Sequence, residues 1–555
     1  MTSASTRALA VAVGLVGCVQ RGPIEGADAV PPPRREPPRG VLPPESQSGT
    51  PVDGGTLTVL MPTEPAQLTY LFESDLNLLR MTVPLVYEPL VWAEPDDPAR
   101  FVPRLAERWD ASPDGLVYTF TVRDGVRWHD GAPLTADDVL FTFDLVMDPK
   151  GRSAHVRSAW ANLTSWTRLD ARTIRFTFAK PYFLTLDAFA ATPILPKHVF
   201  GGGDAFANAA NRRPVGTGPF RFASWESGDK RLVLERNAAY WGERAHVERV
   251  VFRFIEDRTV SARVMARGEA DVLLTYTPEQ WLRAADDAAF VSKNWLVRDY
   301  AEGGFTYIGW NEQRPLFADR RVRAALARLV DRDYVERRLL KGLYADHACA
   351  LYFAGPDCDP SHKPPPYDPA GARRLLDEAG WSDHDGDGLR DKDGVPLRFT
   401  FTYPNGSTLA EQVGILLRDE LARSGIEVRL QRLEWATFLG RLRRGELEAT
   451  SLAWGGGVRV DPTSQWHSGP EGGRNWLGFS NPEADSLLDA ARGELDDERR
   501  HALFREFGRV LSREAPDVWL GTGPTLGAIN KRVRGARVGP GWDYARLWLE
   551  PEARP

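Results

Sequence analysis

Three cysteines in 555 residues leave little room for thiol chemistry. They are Cys18, Cys349 and Cys358; none falls in a Cys-x-x-Cys pair, and the nine histidines are scattered. A thiol-redox or metal centre therefore has no ligand set, and no cofactor is expected. Basic excess is also missing. Seventy Lys and Arg stand against 76 Asp and Glu, for a formal net charge of -6. No surplus cation is left to neutralise a phosphate backbone, so nucleic acid is excluded as a partner. No Gly-x-Ser-x-Gly elbow, His-Glu-x-x-His helix or phosphate-binding loop occurs, and no carboxylates pair in a catalytic frame, so an enzyme is not expected. A repeat of roughly 20 to 50 residues is absent too, which excludes solenoids and propellers.

The chain opens on what reads as a targeting segment. Arg7 supplies a minimal positive region, and Ala8 to Gly17 form an apolar run too short to span a bilayer. The run ends in Leu15-Val16-Gly17-Cys18, which resembles a bacterial lipobox. Residues 1–18 are thus expected to be a lipoprotein signal peptide with Cys18 as the lipidated residue; a plain secretory signal is the alternative. Residues 19–53, rich in Pro, Gly, Ser and charge, cannot bury enough apolar area to fold and read as a disordered tether. No other apolar run is long enough to be a membrane helix, so an acyl chain would be the sole attachment to the membrane. The body would then sit on the periplasmic or cell-envelope face. Residue 19 is Val rather than the Asp that retains lipoproteins at an inner membrane, so the choice between inner and outer membrane stays open.

In an exported chain the even pair Cys349 and Cys358 favours a local disulfide around residues 350–357, with two free thiols as the alternative. From Gly54 onward, strand-like and helix-like stretches alternate. Thr56 to Leu60, the alternating Leu116, Tyr118, Phe120 and Val122, and Ile174, Phe176 and Phe178 read as strands. Val322, Leu326 and Leu329 recur at helical spacing, which predicts an amphipathic helix over about 319 to 340. Asp368-Pro369 followed by Gly380 marks the start and stop of another helix, and Asn481-Pro482 opens one that runs, with a break, to about Arg513. The class is α/β.

The segment Pro103 to Trp109, the turn Ser112-Pro113-Asp114-Gly115, and Arg127-Trp128-His129-Asp130-Gly131 follow one another in order. Thr135-Ala136-Asp137-Asp138-Val139, Val215-Gly216-Thr217-Gly218-Pro219-Phe220, Tyr240-Trp241-Gly242, and Asn311 with Arg321-Val322-Arg323 come after them. This chain of blocks resembles the dipeptide, oligopeptide and nickel-binding receptors of ABC importers, family 5 of the bacterial extracellular solute-binding proteins. The Gly216 loop is not a dinucleotide fingerprint, because it runs into Pro-Phe with no helix start. The resemblance implies a two-lobed periplasmic-binding-protein-like fold of type II, in its large class. Lobe one would span 54–300 with an inserted subdomain at 84–180, lobe two 301–520, and 521–555 would return to lobe one, so that two chain crossings form the hinge. A monomer is implied, with a small-molecule or peptide ligand and an ABC permease complex as partners, and no chemistry on the ligand.

Peptide-binding members of that family carry a cleft Trp followed three residues later by an Asp that pairs with the peptide ammonium. Here the stretch reads Trp454-Gly455-Gly456-Gly457-Val458-Arg459-Val460-Asp461: the Trp matches, and Gly457 stands where the Asp should be. Either Asp461 takes over the ammonium through a shifted loop, or the amine anchor is absent. The glycines open the backbone to a ligand, and Arg459 is a candidate for a carboxylate or phosphate. Trp310, Trp466 and Trp476 join Trp454 as candidate aromatic walls. Asp383-His384-Asp385-Gly386-Asp387 up to Asp391 has part of a calcium-loop pattern, but Gly394 stands where its last Glu should be; an exposed hairpin is the competing reading, and no metal is assigned. The functional expectation is capture of an oligopeptide or similar small polar solute. The alternative is a non-peptide (oligosaccharide, opine or other) receptor, or a sensory lipoprotein without a dedicated importer.

Overall fold

Six residues, Thr56–Met61, form the parallel centre of the first sheet, pairing on one side with Arg249–Phe254 and on the other with Val272–Leu273. The computed structural model describes residues 44–551 except 74, 84, 95–96, 227, 229, 302–303, 471 and 538–543. Cys18 and the signal-peptide reading lie outside the described residues, as does most of the tether reading. The last part of that stretch, 44–53, is not a disordered tether but packs on the body: Ser46 is fully buried, Gln47 donates to the Ala536 carbonyl at 3.0 Å, and Asp53 is paired with His246. Arg231–Arg236 and Phe220–Glu226 extend the sheet antiparallel beyond Phe254. On the far side Thr525–Asn530 inserts between Val272–Leu273 and Asn294–Asp299, completing seven strands.

A second sheet holds Glu427–Leu433, Arg398–Pro404, Ala449–Ala453, Phe305–Trp310 and Asp517–Thr522, in that order. Phe305–Trp310 and Asp517–Thr522 are buried along their whole length, as strands covered on both faces should be. Helices Arg320–Arg328 and Thr408–Ala422 cover one face, and Pro482–Gly493 with Asp497–Glu514 covers the other. The chain passes between the two sheets twice, from Asp299 to Phe305 and from Thr522 to Thr525. The crossings touch each other, the Gly523 amide donating to the Gly304 carbonyl at 3.4 Å.

A third, four-stranded antiparallel sheet contains Ala106–Ala111, Val117–Val122, Thr173–Phe178 and Leu163–Arg168. The helix Ala136–Met147 opens on a capping box between Thr135 and Asp138 and packs Phe143 against Phe176, with ring centroids 4.7 Å apart. Its core is continuous with that of the seven-stranded sheet.

One buried carboxylate ties several sequence blocks together. Glu88 pairs with Arg104 at 2.7 Å. It also accepts hydrogen bonds from the Tyr240 hydroxyl at 2.7 Å, the Thr217 hydroxyl at 2.9 Å and the Trp241 indole N–H at 3.0 Å. A buried charge is tolerable only when satisfied in this way. The adjacent loop is equally constrained. A Cβ on Gly216 would lie 1.8 Å from the Val86 carbonyl oxygen, so only glycine fits. The Gly216 amide donates to His129 Nδ1, which leaves the proton on Nε2, donated to the Gly218 carbonyl at 3.0 Å. Thus the glycine-rich block is packing and not a phosphate cradle.

The helix expected over about 319 to 340 is broken. It ends at Arg328, and Asp331 then caps a new turn by accepting from the Tyr334 amide at 2.9 Å. A π-helical turn, Val335–Leu339, completes the segment. An Asp side chain that bonds a nearby amide offers the backbone an alternative to the helix ladder. The helices at Pro369–Glu378 and Pro482–Gly493 begin as their Asp-Pro and Asn-Pro signals predict.

Two predictions follow from these buried groups. Glu88→Gln removes the charge that Arg104 and three donors were built around. It should cost about 3–5 kcal/mol of unfolding free energy in a urea titration, and a change below about 1 kcal/mol contradicts the keystone role. Burial, above all, lowers the pKa of His129 and of His347 to about 4 from 6.5. The unfolded chain takes up these protons near 6.5 and the folded chain only near 4. Stability is therefore full above 6.5 and falls as pH drops toward 4. Urea midpoints at a series of pH values should show that decline, and it should shrink in His129→Asn.

Candidate functional site

The loop after Ala449–Ala453 runs through three glycines and faces the segment joining Thr173–Phe178 to the helix Thr185–Ala191. Between them lies a cavity of about 270 Å³. Tyr182 and Leu184 wall one side; Gly455, Gly456, Gly457, Val460 and Asp461 wall the other. Tyr352, from the loop closed by the Cys349–Cys358 disulfide, and Thr522, at a crossing, also line it. The crossings thus join directly onto the site: a Cβ on Gly304 would strike the Trp454 carbonyl oxygen at 1.4 Å, so the backbone there approaches as only glycine allows.

Two charged ties span the cavity's edge. The Arg459 guanidinium pairs with Asp187 at 3.2 Å and donates to the Phe183 carbonyl at 3.1 Å. Burial raises the Asp187 pKa, and the Arg459 charge opposes that rise. Asp461 is held by Arg492 at 2.9 Å and accepts from the Tyr182 hydroxyl at 3.2 Å. Burial first, and the Asp461 charge second, push the Tyr182 pKa up, so Tyr182 remains a donor. Phe183 packs edge-on against Phe504, centroids 5.6 Å apart, with the Arg500 guanidinium 4.9 Å from its ring centroid. Both strands of contact join residues more than 270 positions apart in the chain.

Of the sequence candidates, Gly455, Gly456, Gly457 and Asp461 line the cavity, while Arg459 turns to Asp187. Arg459 thus already faces a carboxylate of this chain. Trp454 lies instead in a smaller adjoining recess, its ring 5.2 Å from that of Trp476. Trp466 is buried and stacks on Trp519 at 6.1 Å, and Trp310 stacks on Phe317 at 5.7 Å in the core. None of these four indoles walls the larger cavity among the described residues. In the acidic loop Asp383 accepts from the Gly386 and Gly388 amides, and Asp383, Asp385 and Asp391 bring carboxylate oxygens within 4.8 Å of one another. Gly394, in the left-handed region, helps turn the short hairpin Asp391–Pro396 that follows. Tyr182, Asp187 and Arg492 had no signal in the sequence, because their roles exist only across the cleft.

A cavity walled from two sides, on a body built from two sheets joined by two short crossings, is the geometry of a two-lobed solute receptor. The chain belongs to the bacterial extracellular solute-binding proteins, family 5, whose middle-region model matches residues 100–476. It is 28% identical over 523 residues to the oligopeptide-binding protein AppA of Bacillus subtilis, covering 91% of this chain and 93% of that one. The structure of AppA in complex with a nonapeptide superposes with a TM-score of 0.72 at 26% identity, covering 90% of this chain and all of that one. The fold is shared as well with NikA from Brucella suis in complex with Fe(III)-EDTA, at a TM-score of 0.77 and 23% identity, over 89% of this chain and 100% of that one. No helix among the described residues is long and apolar enough to cross a membrane.

Arg459→Ala removes both contacts that Arg459 makes across the cleft. Charge-assisted bonds of this kind contribute roughly 2 kcal/mol, enough to move the open–closed equilibrium by about thirtyfold. The ligand-free variant should show a larger radius of gyration by small-angle scattering than the wild type; identical scattering curves would mean that the tie does not hold the lobes together.

Proposed function

We propose that the chain is the extracytoplasmic receptor of an ABC importer, capturing an oligopeptide or similar small polar solute between its lobes and delivering it unchanged to a membrane permease. The observation that carries this reading is the cavity itself, with walls from both sides of a two-crossing hinge. A ligand touching both walls stabilises the closed form, and closure is what a transporter can sense. The peptide class is supported by the oligopeptide-binding AppA, similar along nearly its whole length.

In this reading the receptor catalyses nothing and works as a monomer. Cys18 carries the lipid, and the part of 19–53 that precedes the packed stretch 44–53 tethers the body to the envelope. Lobe one takes 54–300, with 84–180 as its subdomain, together with 521–555; lobe two takes 301–520. Gly455, Gly456 and Gly457 form the floor against which the ligand lies, and Arg459 and Asp461 clamp the lobes beside it.

Two measurements test the assignment. A thermal-shift screen of the purified chain against di- to pentapeptide and oligosaccharide libraries should raise the midpoint with peptides only, in proportion to the logarithm of ligand concentration. Shifts with sugars alone would replace the ligand class. Gly455→Trp tests the place: a Cβ there meets nothing within 4 Å, so the variant folds, while its indole occupies the cavity. Peptide affinity should fall at least tenfold; retained affinity would move the ligand elsewhere.

A further inference from the structure

Beside the cleft cavity, and sharing Gln465 and Arg474 with it, lies the recess that holds Trp454. Its walls are aromatic: Trp310, Trp454, Trp466, Trp476 and Tyr307. Its volume of about 20 Å³ admits one small polar group. Asp517 lines this recess and is only 8% exposed. Its carboxyl has no side-chain hydrogen bond or ion pair among the described residues, although Asp517 begins a wholly buried strand. Room for it is kept by Gly309, its partner across the strand pair, where a Cβ would come within 3.0 Å of Asp517 Oδ1 and 2.2 Å of Leu477.

No cation is paired with Asp517 among the described residues. Glu312, on the same recess, pairs with Arg323 at 3.2 Å, and its Oε1 has no partner. Arg323 is shared with Glu514 at 3.8 Å. Tyr307 is neutral, its pKa pushed well up by burial and by the Asp517 charge. Arg474, at the mouth, is exposed, and its side chain makes no ion pair or hydrogen bond among the described residues. Two carboxyls thus face an apolar recess with one buried guanidinium already divided between acids. An ionised carboxyl at such a place is costly unless a cation arrives, and indole faces add attraction for that cation.

We propose that this recess is the ligand's ammonium site, in which a primary ammonium, from a free peptide N-terminus or a lysine side chain, seats against Asp517 within the tryptophan walls. The inference rests on the peptide-capture reading and deepens it by naming the group that is recognised. Gly457 brings no carboxylate to the larger cavity, and Asp461 there is held by Arg492. Arg474, free at the shared mouth, is placed to meet a carboxylate of the same ligand. Burial and the neighbouring Glu312 raise the Asp517 pKa well above its ordinary value, and an ammonium seated beside it opposes that rise. The ammonium favours the ionised carboxylate, so binding releases to solvent any proton that Asp517 carries.

The test uses the whole purified chain and three random tripeptide libraries: free-amine without lysine or arginine, the same sequences N-acetylated, and N-acetylated with lysine. Thermal shifts and titration calorimetry are read on the wild type and on Asp517→Asn, which preserves the side-chain shape. The free-amine library, the lysine library or both should bind the wild type, and the acetylated lysine-free library should not; which of the first two binds identifies the source of the ammonium. Asp517→Asn should weaken binding by roughly thirtyfold or more. Calorimetry in buffers of different ionisation enthalpy should show proton release on binding to the wild type, lost in the variant. Equal binding of the acetylated lysine-free library, or unchanged affinity in a folded Asp517→Asn, overturns the ammonium site and leaves peptide capture standing. Binding of no library overturns peptide capture and this inference with it.

Discussion

The carboxylate of Glu88 is the fixed point around which the first sheet and the four-stranded sheet are assembled. It has no exposure to water, so each of its contacts must be supplied by protein. Arg104 arrives from the start of the four-stranded sheet, Thr217 from the Gly216 loop, and Tyr240 and Trp241 from the turn after Arg231–Arg236. Loss of any one leaves a buried charge short of a partner, which explains why residues so far apart in the chain belong to one pattern. A similar arrangement anchors the second sheet. Arg323 is buried, pairs with Glu312 and donates to the Phe317 carbonyl, and Asn311 donates to the carbonyls of Gly445 and Leu447.

These anchors hold each sheet together, and the chain links the two sheets through two short crossings. Only residues between Asp299 and Phe305, and between Thr522 and Thr525, connect the sheets. Rotation about two short segments costs few contacts, so weak ties across the cleft are enough to set the open–closed balance. The Arg459–Asp187 and Asp461–Tyr182 contacts have that scale. The site adjoins the hinge, because Thr522 lines the cavity and accepts a hydrogen bond from His347, while Gly304 packs on the Trp454 carbonyl.

How much of this was legible in the sequence follows from the same division. The strand at Thr56, the helices opened by Asp368-Pro369 and Asn481-Pro482, and the resemblance to family 5 are carried by local chemistry or by structural anchors, and these are visible along the chain. The cleft is not local. Tyr182 and Asp461 meet across 279 positions, and no periodicity announces such a pair. Arg459 was legible as a charge and illegible as a clamp for the same reason. Asp517 did leave a trace, an acid heading the apolar run Val518-Trp519-Leu520; its meaning needed the walls supplied by Trp454 and Trp476. The helix beyond Arg328 was misjudged because apolar spacing persists through a break set by one capping aspartate.

The central claim is that one ligand is gripped from both lobes at once. Amide hydrogen exchange, with and without a saturating free-amine tripeptide library, tests it most directly. Joint protection of residues 182–187 and 455–462, with the core of each sheet unchanged, is the predicted result. Protection confined to one of these segments, or spread evenly over the chain, would contradict capture between the lobes.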